Sequence, residues 1–117
     1  MNEAVGKFKA IGEPTRLRIL RVLLAANQEL CVCEIVDTLG KPLYTVSKNL
    51  TVLRQAGLVE ERRDGKFMMY SLVRGGLNEP LLDSIAALPP HDELYRDDLS
   101  NLDRRLERRP ELGCRSG

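Results

Sequence analysis

The sequence has few aromatic residues and few cysteines, and it has no tryptophan. Phenylalanine and tyrosine together make up 4% of its 117 residues, so leucine, isoleucine, valine and alanine must form the hydrophobic core. The three cysteines are an odd number, and Cys31 and Cys33 are too close together to close a useful structural loop. The length suffices for one domain but not for two.

Long hydrophobic runs and a strong net charge are also missing. No run of about 18 apolar residues occurs, so a membrane-spanning helix is not expected. The first residues lack the basic-then-apolar pattern of a signal peptide, and the cytoplasm is the expected location. In that reducing compartment the pair Cys31 and Cys33 is expected to be a ligand or redox pair. Because the net charge is only +1, a surface that binds nucleic acid must come from local clustering of charge.

The spacing of apolar residues and the positions of glycine and proline divide the chain into six helices and one β-hairpin. Pro14 suits the first residue of a helix, where its missing N–H costs nothing, and Gly40 suits a helix end. Asp64-Gly65 is a typical hairpin turn between two extended segments. The predicted helices span residues 3–11, 14–26, 31–39, 43–56, 77–88 and 92–109, and the predicted strands span residues 58–63 and 66–73.

This order of elements, α-α-α-α-β-β-α-α, predicts a mainly α fold with a β-hairpin, the winged helix-turn-helix. Only about three residues separate the predicted helices 31–39 and 43–56, which is the length of the turn in a helix-turn-helix unit. A single domain is expected over residues 1–109, with the terminal helices available for a dimer interface. Residues 110–117 are expected to form a flexible tail that carries Cys114.

The predicted helix 43–56 has the composition of a recognition helix. Val46, Leu50 and Leu53 form its apolar stripe, and polar side chains that can contact base edges or phosphates lie between them. In the hairpin, basic residues flank the tight turn, where they can reach phosphates beside the groove. The candidate DNA-binding residues are Tyr44, Thr45, Ser47, Lys48, Asn49 and Thr51 on the helix and Arg62, Arg63 and Lys66 in the hairpin.

Charge is unevenly distributed along the chain. Between Lys41 and Lys66 there are six basic and three acidic residues, a local net charge of +3 in a chain whose total is +1. Charge alone would fit an ordinary solvated helix and hairpin, but three helices, a short turn and a basic hairpin together favour DNA binding. A winged helix that binds a protein instead of DNA is the alternative at this point.

Four segments of the sequence together resemble the ArsR/SmtB family of arsenic- and metal-responsive repressors. Residues 10–20, AIGEPTRLRIL, resemble the opening of the family's domain, and residues 29–35, ELCVCEI, resemble the cysteine box of its arsenic-sensing branch. Residues 46–59 resemble its recognition helix, and residues 63–70 resemble its wing. The resemblance covers about residues 8–73 and is specific as a set, although each segment alone is weak.

The resemblance implies a homodimer that binds double-stranded operator DNA when metal-free and dissociates when a thiophilic ion binds. It also implies that Cys31 and Cys33 are ligands of the inducer and that residues 44–49 lie on the recognition helix. The sequence departs from the family pattern at two positions. Val36 stands where the arsenic box has a third cysteine, and Asn49 stands where the recognition helix has a histidine.

The two cysteines fit a thiophilic ion on chemical grounds as well. Soft thiolates prefer arsenite, antimonite, Cd(II) or Pb(II) to hard cations. Trivalent arsenic prefers three sulfur ligands, so As(III) or Sb(III) as the inducer would need a third thiol, and Cys114 is the one other cysteine. Cys114 is expected either to complete the site, within one subunit or across the dimer, or to be an incidental residue of the tail.

The position of the cysteine pair predicts how ion binding would reach the DNA-binding surface. Residues two apart on an α-helix differ by about 200° around the axis, so sulfurs at Cys31 and Cys33 cannot easily reach one ion while that helix is intact. Binding is therefore expected to distort the first turn of helix 31–39, which should pack on the recognition helix.

Other functions fit the sequence less well. A thiol-disulfide enzyme usually has two residues between its cysteines, and no histidine is positioned as a base, so the protein is not expected to be an enzyme. Zinc sensing on the helix after the wing needs several histidines, whereas this sequence has only His91. A repressor that responds to Cd(II) or Pb(II), or to oxidation of Cys31 and Cys33, is the alternative function.

Overall fold

A computed structural model describes residues 2–113 and gives them the predicted winged helix-turn-helix fold. The helices are α1 Asn2–Ile11, α2 Pro14–Ala26, α3 Val32–Leu39, α4 Leu43–Gln55, α5 Asn78–Ala86, α6 Glu93–Glu107 and α7 Arg109–Leu112. The strands are β1 Leu30–Cys31, β2 Val59–Asp64 and β3 Phe67–Leu72. None of the helices within residues 2–113 is both long and apolar enough to cross a membrane.

Local signals in the sequence explain where the central helices begin and end. Pro14 is the first residue of α2, and the carboxylate of Glu13 caps that helix by accepting a hydrogen bond from the backbone N–H of Arg16 at 2.9 Å. At the end of α3, Gly40 adopts the left-handed conformation (φ 64°) and its N–H donates to the carbonyl of Val36 at 2.9 Å. The chain therefore turns sharply at Gly40 and enters α4 at Leu43, as the sequence predicted.

The hydrophobic core lies between α2, α3, α4 and the helices that follow the wing. It is formed mostly by leucine, isoleucine and valine, in agreement with the shortage of aromatic residues. Its fully buried members include Ile19, Leu20, Ile35, Val46, Leu50, Leu53, Leu58 and Leu82. The apolar stripe predicted for α4 is thus buried, which leaves the opposite face of that helix to solvent.

The wing is the hairpin of β2 and β3. The short strand β1 pairs with β3 and extends the hairpin to an antiparallel sheet in the order β1-β3-β2. β2 and β3 pair from Val59 opposite Leu72 to Asp64 opposite Phe67, so the turn is Gly65-Lys66, one residue later than predicted. Gly65 supplies the positive φ of 63° that the turn requires. The short strand β1 was not predicted, because two residues are too few for a period to be read.

The C-terminal part of the described chain is helical for longer than predicted and packs on the rest of the domain. Residues 110–112 continue from Arg109 as the short helix α7 instead of forming a tail. The long helix α6 buries Leu102 within its own chain, and its Asp98 accepts two hydrogen bonds from Arg18 of α2, at 2.8 and 3.0 Å. α6 therefore packs on its own chain through Leu102 and Asp98, whereas Leu94 near its start is 46% exposed.

Candidate DNA-binding surface and thiol site

Helix α4 presents a polar face to solvent. Tyr44 is 77% exposed, Ser47, Lys48 and Thr51 are exposed, and Thr45 is half-buried. The Lys48 ammonium lies 5.8 Å from the centre of the Tyr44 ring. These five residues of the predicted set share the side of the helix opposite its buried stripe, where hydroxyl and ammonium groups can reach a nucleic acid.

Asn49 is the exception among the predicted residues of α4, because it is only 4% exposed. Its side-chain N–H donates to the carbonyl of Thr45 at 2.9 Å, and its side-chain oxygen accepts a hydrogen bond from Arg16 at 3.0 Å. Arg16 in turn donates to the carbonyl of Ala10 at the end of α1. Asn49 thus ties α4 to α2 and α1, and it does not point outward with its neighbours.

A buried lysine holds the other end of α4. Lys7 of α1 is 5% exposed, and its ammonium donates to the carbonyl of Ala56 at 2.8 Å. That carbonyl lies just beyond the last turn of α4, where the helix dipole favours a positive charge. Gly57 follows in the left-handed conformation (φ 74°), and a Cβ there would lie 3.1 Å from the Lys7 nitrogen. Sequence analysis missed Lys7, because a lysine in a short polar helix normally faces solvent.

The three basic residues of the wing are exposed but not equivalent. Arg63 and Lys66 lie beside the turn. The guanidinium of Arg62 instead donates to both carboxylate oxygens of Glu29, which precedes β1, at 2.7 and 3.0 Å. These hydrogen bonds hold the pKa of Glu29 below its ordinary value. Arg62 is thus directed back across the sheet, whereas Arg63 and Lys66 remain at the tip of the wing.

The two cysteines lie on different elements. Cys31 is the last residue of β1, is 1% exposed and has an extended backbone (φ −84°, ψ 164°), whereas the half-buried Cys33 is the second residue of α3. Both are reduced. The expectation that both sulfurs lie on one helix is therefore wrong, since α3 begins at Val32. Cys114, the third predicted ligand, lies outside the described residues.

Next to the cysteines is a buried carboxylate that sequence analysis did not single out. Glu34 is fully buried, accepts the backbone N–H of Cys31 at 3.0 Å and accepts two hydrogen bonds from Arg109 of α7, at 2.6 and 2.7 Å. Burial alone would raise the pKa of Glu34, but the hydrogen bonds from Arg109 and Cys31 outweigh it and lower the pKa. The start of α3 is therefore fixed by a charge-assisted contact with the C-terminal segment.

The same C-terminal segment is tied to α3 at a second point. Arg105 of α6 is buried and donates to the carboxylate of Asp37 at 2.7 Å and to the carbonyl of Gly113 at 2.9 Å. Gly113 is the residue that precedes Cys114. Gly113, the last residue that the structure describes, is therefore held close to α3, the helix that carries Cys33.

The described residues supply two thiols but not a complete metal site. Within residues 2–113, no three histidine, cysteine, aspartate or glutamate side chains are grouped so that they could hold a metal ion. His91 is exposed in the loop between α5 and α6, far along the chain from the thiols. The pair thus fits a soft ion that gains at least one more ligand from elsewhere.

Comparison with known proteins identifies the family. The model of the arsR family of bacterial regulatory proteins matches residues 13–61, which contain α2, the cysteine pair and α4. An uncharacterized HTH-type transcriptional regulator of Methanocaldococcus jannaschii is 47% identical over 72 residues, which are 62% of this chain and 80% of that protein. The chain belongs to the arsR family. It is thus a helix-turn-helix regulator of transcription and not an enzyme.

Two further proteins, one known by sequence and one by structure, are also similar to the chain. The arsenical resistance operon repressor of Escherichia coli is 38% identical over 65 residues, which are 56% of this chain and 55% of that protein. The chain thus spans little more than half of that relative. The solved structure of HlyU from Vibrio cholerae aligns with a TM-score of 0.66 and 30% identity, and covers 74% of this chain and 91% of its own.

Proposed function

We propose that this arsR-family regulator is a homodimeric repressor that binds operator DNA and releases it when arsenite or antimonite binds its cysteines. The observation that carries the proposal is the position of Cys31 and Cys33 at the start of α3. α3 leads through the turn at Gly40 directly into α4. The proposed sensor therefore lies one helix away from the proposed DNA-binding face.

The proposed DNA contacts divide between α4 and the wing. Exposed Tyr44, Ser47, Lys48 and Thr51 would enter the major groove, as the second helix of a helix-turn-helix does. Thr45 is half-buried and would contact the edge of the same surface. The basic residues of the wing would contact phosphates beside the groove.

The proposed dimer interface lies on α1 and α5. Phe8 of α1 is 61% exposed, and it borders an open groove whose lining is mostly apolar. The groove runs between α1, α2 and α5 and is lined by Phe8, Ile11, Gly12, Leu17, Leu81, Ser84, Ile85 and Leu88. An exposed apolar surface of this kind marks an interaction site, and a second copy of the chain would cover it.

The proposed inducer site combines Cys31 and Cys33 with Cys114 of the same chain. Two thiols leave one of the three sulfur positions preferred by trivalent arsenic unfilled. The anchoring of Gly113 by Arg105 supports Cys114 as the third ligand, because the backbone that leads to it is already held at α3. Arsenite or antimonite is the ligand that this sulfur set would bind.

The position of Cys31 suggests how the protein responds. Cys31 is buried, and its backbone N–H is bonded to Glu34 at the start of α3. Binding of one ion by both Cys31 and Cys33 would draw the Cys31 side chain out of this buried position and would strain β1 and the first turn of α3. Because α3 packs on α4, this movement would tilt the two recognition helices of the dimer relative to their half-sites.

A binding titration tests this function. The DNA upstream of the protein's own gene is bound by the wild type, and arsenite, antimonite, Cd(II), Pb(II) and Zn(II) are added in parallel. Arsenite or antimonite is expected to release wild-type protein at the lowest concentration. Cys31→Ser and Cys33→Ser should bind the same DNA without ion, which shows that they fold, and should stay bound when arsenite is added. Release of either variant at wild-type arsenite concentrations would contradict the proposed site.

The role of Cys114 has its own matched pair of variants. Cys114→Ser should need more arsenite than the wild type for release. Adding Val36→Cys to Cys114→Ser should restore sensitivity, because a thiol then stands one turn after Cys33 on the half-buried side of α3. Wild-type sensitivity of Cys114→Ser itself would remove Cys114 from the ligand set.

A second inducer class is favoured by the range of related proteins. A cadmium resistance transcriptional regulatory protein CadC homolog of Staphylococcus aureus is 37% identical over 65 residues, about the same as the arsenical repressor. Cd(II) and Pb(II) also prefer thiolates. If Cd(II) or Pb(II) releases the DNA at a lower concentration than arsenite does, this second function is the correct one.

A further inference from the structure

The pairing of Arg62 with Glu29 gives one arginine of the wing a role different from that of its neighbours. We infer that Arg62 is a positioning residue, which fixes the wing to the strand that carries Cys31, and that it is not a phosphate contact. This inference rests on the proposed contact between the wing and DNA. It narrows that contact to Arg63 and Lys66.

The register of the sheet places Arg62 in line with the cysteine strand. Cys31 of β1 lies opposite Met69 of β3, and Met69 lies opposite Arg62 of β2, so the three residues form one row across the sheet. Paired residues in an antiparallel sheet point to the same face, as do residues two apart along a strand. Glu29, two residues before Cys31, lies just outside β1, and the Arg62 side chain reaches it across β3.

The contact between Arg62 and Glu29 uses the guanidinium in its strongest mode. Two parallel hydrogen bonds, at 2.7 and 3.0 Å, join the two side chains in the fork arrangement that arginine also makes with phosphate. In this arrangement the guanidinium cannot offer the same pair of N–H groups to DNA. Arg63 and Lys66 are exposed at the tip of the wing, where phosphate contact does not compete with this ion pair.

The other side of Glu29 is attached to the C-terminal segment. Arg109 of α7 donates to the backbone carbonyl of Glu29 at 3.1 Å while it also holds Glu34 at the start of α3. Glu29 thus lies in the segment before β1 that is hydrogen-bonded to α7, whereas Arg62 lies in the hairpin of β2 and β3. The pair joins the two, so the position of the wing follows the position of the cysteine strand.

The inference is tested by the salt dependence of DNA binding in the absence of any inducer. The fragment upstream of the gene is bound by wild type, Glu29→Gln, Arg62→Gln and the double variant at several salt concentrations. If Arg62 and Glu29 position the wing, each single variant should bind the DNA fragment about two- to fivefold more weakly than the wild type does. The double variant should be no weaker than either single one, because the same contact is lost only once. The slope of log K against log salt should stay at the wild-type value.

Two control variants calibrate that measurement. Arg63→Gln should lower the salt slope by about one, as the loss of a phosphate contact does. Glu60→Gln removes an equal charge from an exposed residue of β2 and should leave affinity within twofold of the wild type. A slope lowered by about one in Arg62→Gln, or tighter binding by Glu29→Gln, would overturn the inference, since Glu29 would then merely compete with phosphate.

A second measurement needs no DNA and therefore separates this inference from the proposed function. The chain has two phenylalanines, Phe67 in the wing and Phe8 on α1. Fluorine-labelled phenylalanine gives one ¹⁹F signal for each, with Phe8 as the internal reference. Glu29→Gln and Arg62→Gln are expected to shift the Phe67 signal alike and to leave that of Phe8 unchanged. An unchanged Phe67 signal in both variants would overturn the inference, whatever the DNA measurements give.

Discussion

Helices α3 and α4 are both held in place by residues that are distant in the sequence, but through different chemistry. α4 is attached to α1 and α2 by Lys7 and Arg16, whose hydrogen bonds end on the carbonyl of Ala56 and on the amide of Asn49. α3 is attached to α6 and α7 by Arg105 and Arg109, whose bonds end on carboxylates. Lys7 and Arg16 thus hold α4 through neutral acceptors, whereas Arg105 and Arg109 hold α3, which carries Cys33, through carboxylates.

The two sets of contacts should therefore respond differently to a change in pH. The contact of Arg109 with the start of α3 depends on the charge of Glu34, so it responds to acid and to any movement of the C-terminal segment. The hydrogen bonds that Lys7 and Arg16 make to α4 end on a carbonyl and an amide, and they should hold over the same range of pH. An α4 held through neutral acceptors, next to an α3 held through carboxylates, suits the proposed response to an inducer.

Replacing Glu34 by glutamine is expected to cause the largest loss of stability, because it disrupts the contacts that hold α3. The change removes the charge that compensates buried Arg105 and half-buried Arg109, and breaking the ion pairs of a buried carboxylate in this way costs about 3 kcal/mol of unfolding free energy. Urea denaturation followed by circular dichroism measures the loss. Glu60→Gln, at an exposed position, serves as the control and should change the stability by less than about 0.5 kcal/mol. Equal stabilities of the two variants would contradict a structural role for Glu34.

The acid sensitivity of the wild type should depend on the same carboxylate. The pKa of Glu34 is lower in the folded protein than in the unfolded chain, so its contribution to stability is complete above the unfolded value of about 4.3. The contribution is lost as the pH falls below that value and through the lower folded pKa. Denaturation at pH 7, 5, 4 and 3 should therefore show that the gap between wild type and Glu34→Gln narrows in acid. If the difference in stability between wild type and Glu34→Gln widened on acidification, the pKa of Glu34 would be raised on folding and not lowered.

Replacing Lys7 by methionine should cause a smaller loss of stability, because it removes one contact that holds α4. Methionine keeps the apolar stem of lysine but leaves the carbonyl of Ala56 without the ammonium, which costs about 1.5 to 3 kcal/mol. Lys9→Met, an exposed change in the same helix, is the matched control. Thermal denaturation compares the two, and a stability of Lys7→Met equal to that of the control would show that the contact does not hold α4.

Asn49→Ala should have the smallest effect of the series, about 1 kcal/mol of unfolding free energy, because one hydrogen-bonded amide is lost. Because Asn49 faces Arg16, the preference for particular bases in the operator should not change. Competition binding with operators altered one base pair at a time measures that preference, with exposed Ser47→Ala as the comparison. Relaxed preference at one position in Asn49→Ala alone would mean that Asn49 reaches the DNA.

Most elements of the fold could be predicted from local patterns, and the candidate site only in part. Asn49 was assigned to the outer face because it stands between apolar residues. In the structure its side chain points inward and accepts a hydrogen bond from Arg16. The start of α3 was placed at Cys31 because nothing in the sequence reveals a two-residue strand that pairs with residues about 40 positions later. Arg62 was grouped with its basic neighbours, since its partner Glu29 lies 33 residues away.

The sequence by itself determined α2 and α4, the turn at Gly40, the hairpin at Gly65 and the cysteine pair beside them. Each of these depends on residues close together in the chain: a proline or glycine with a fixed backbone requirement, or an apolar period of one element. Only the tertiary structure decided which polar groups become buried and with whom. Glu34 meets Arg109 across 75 residues, and Lys7 meets Ala56 across 49, because packing of whole helices selects those partners.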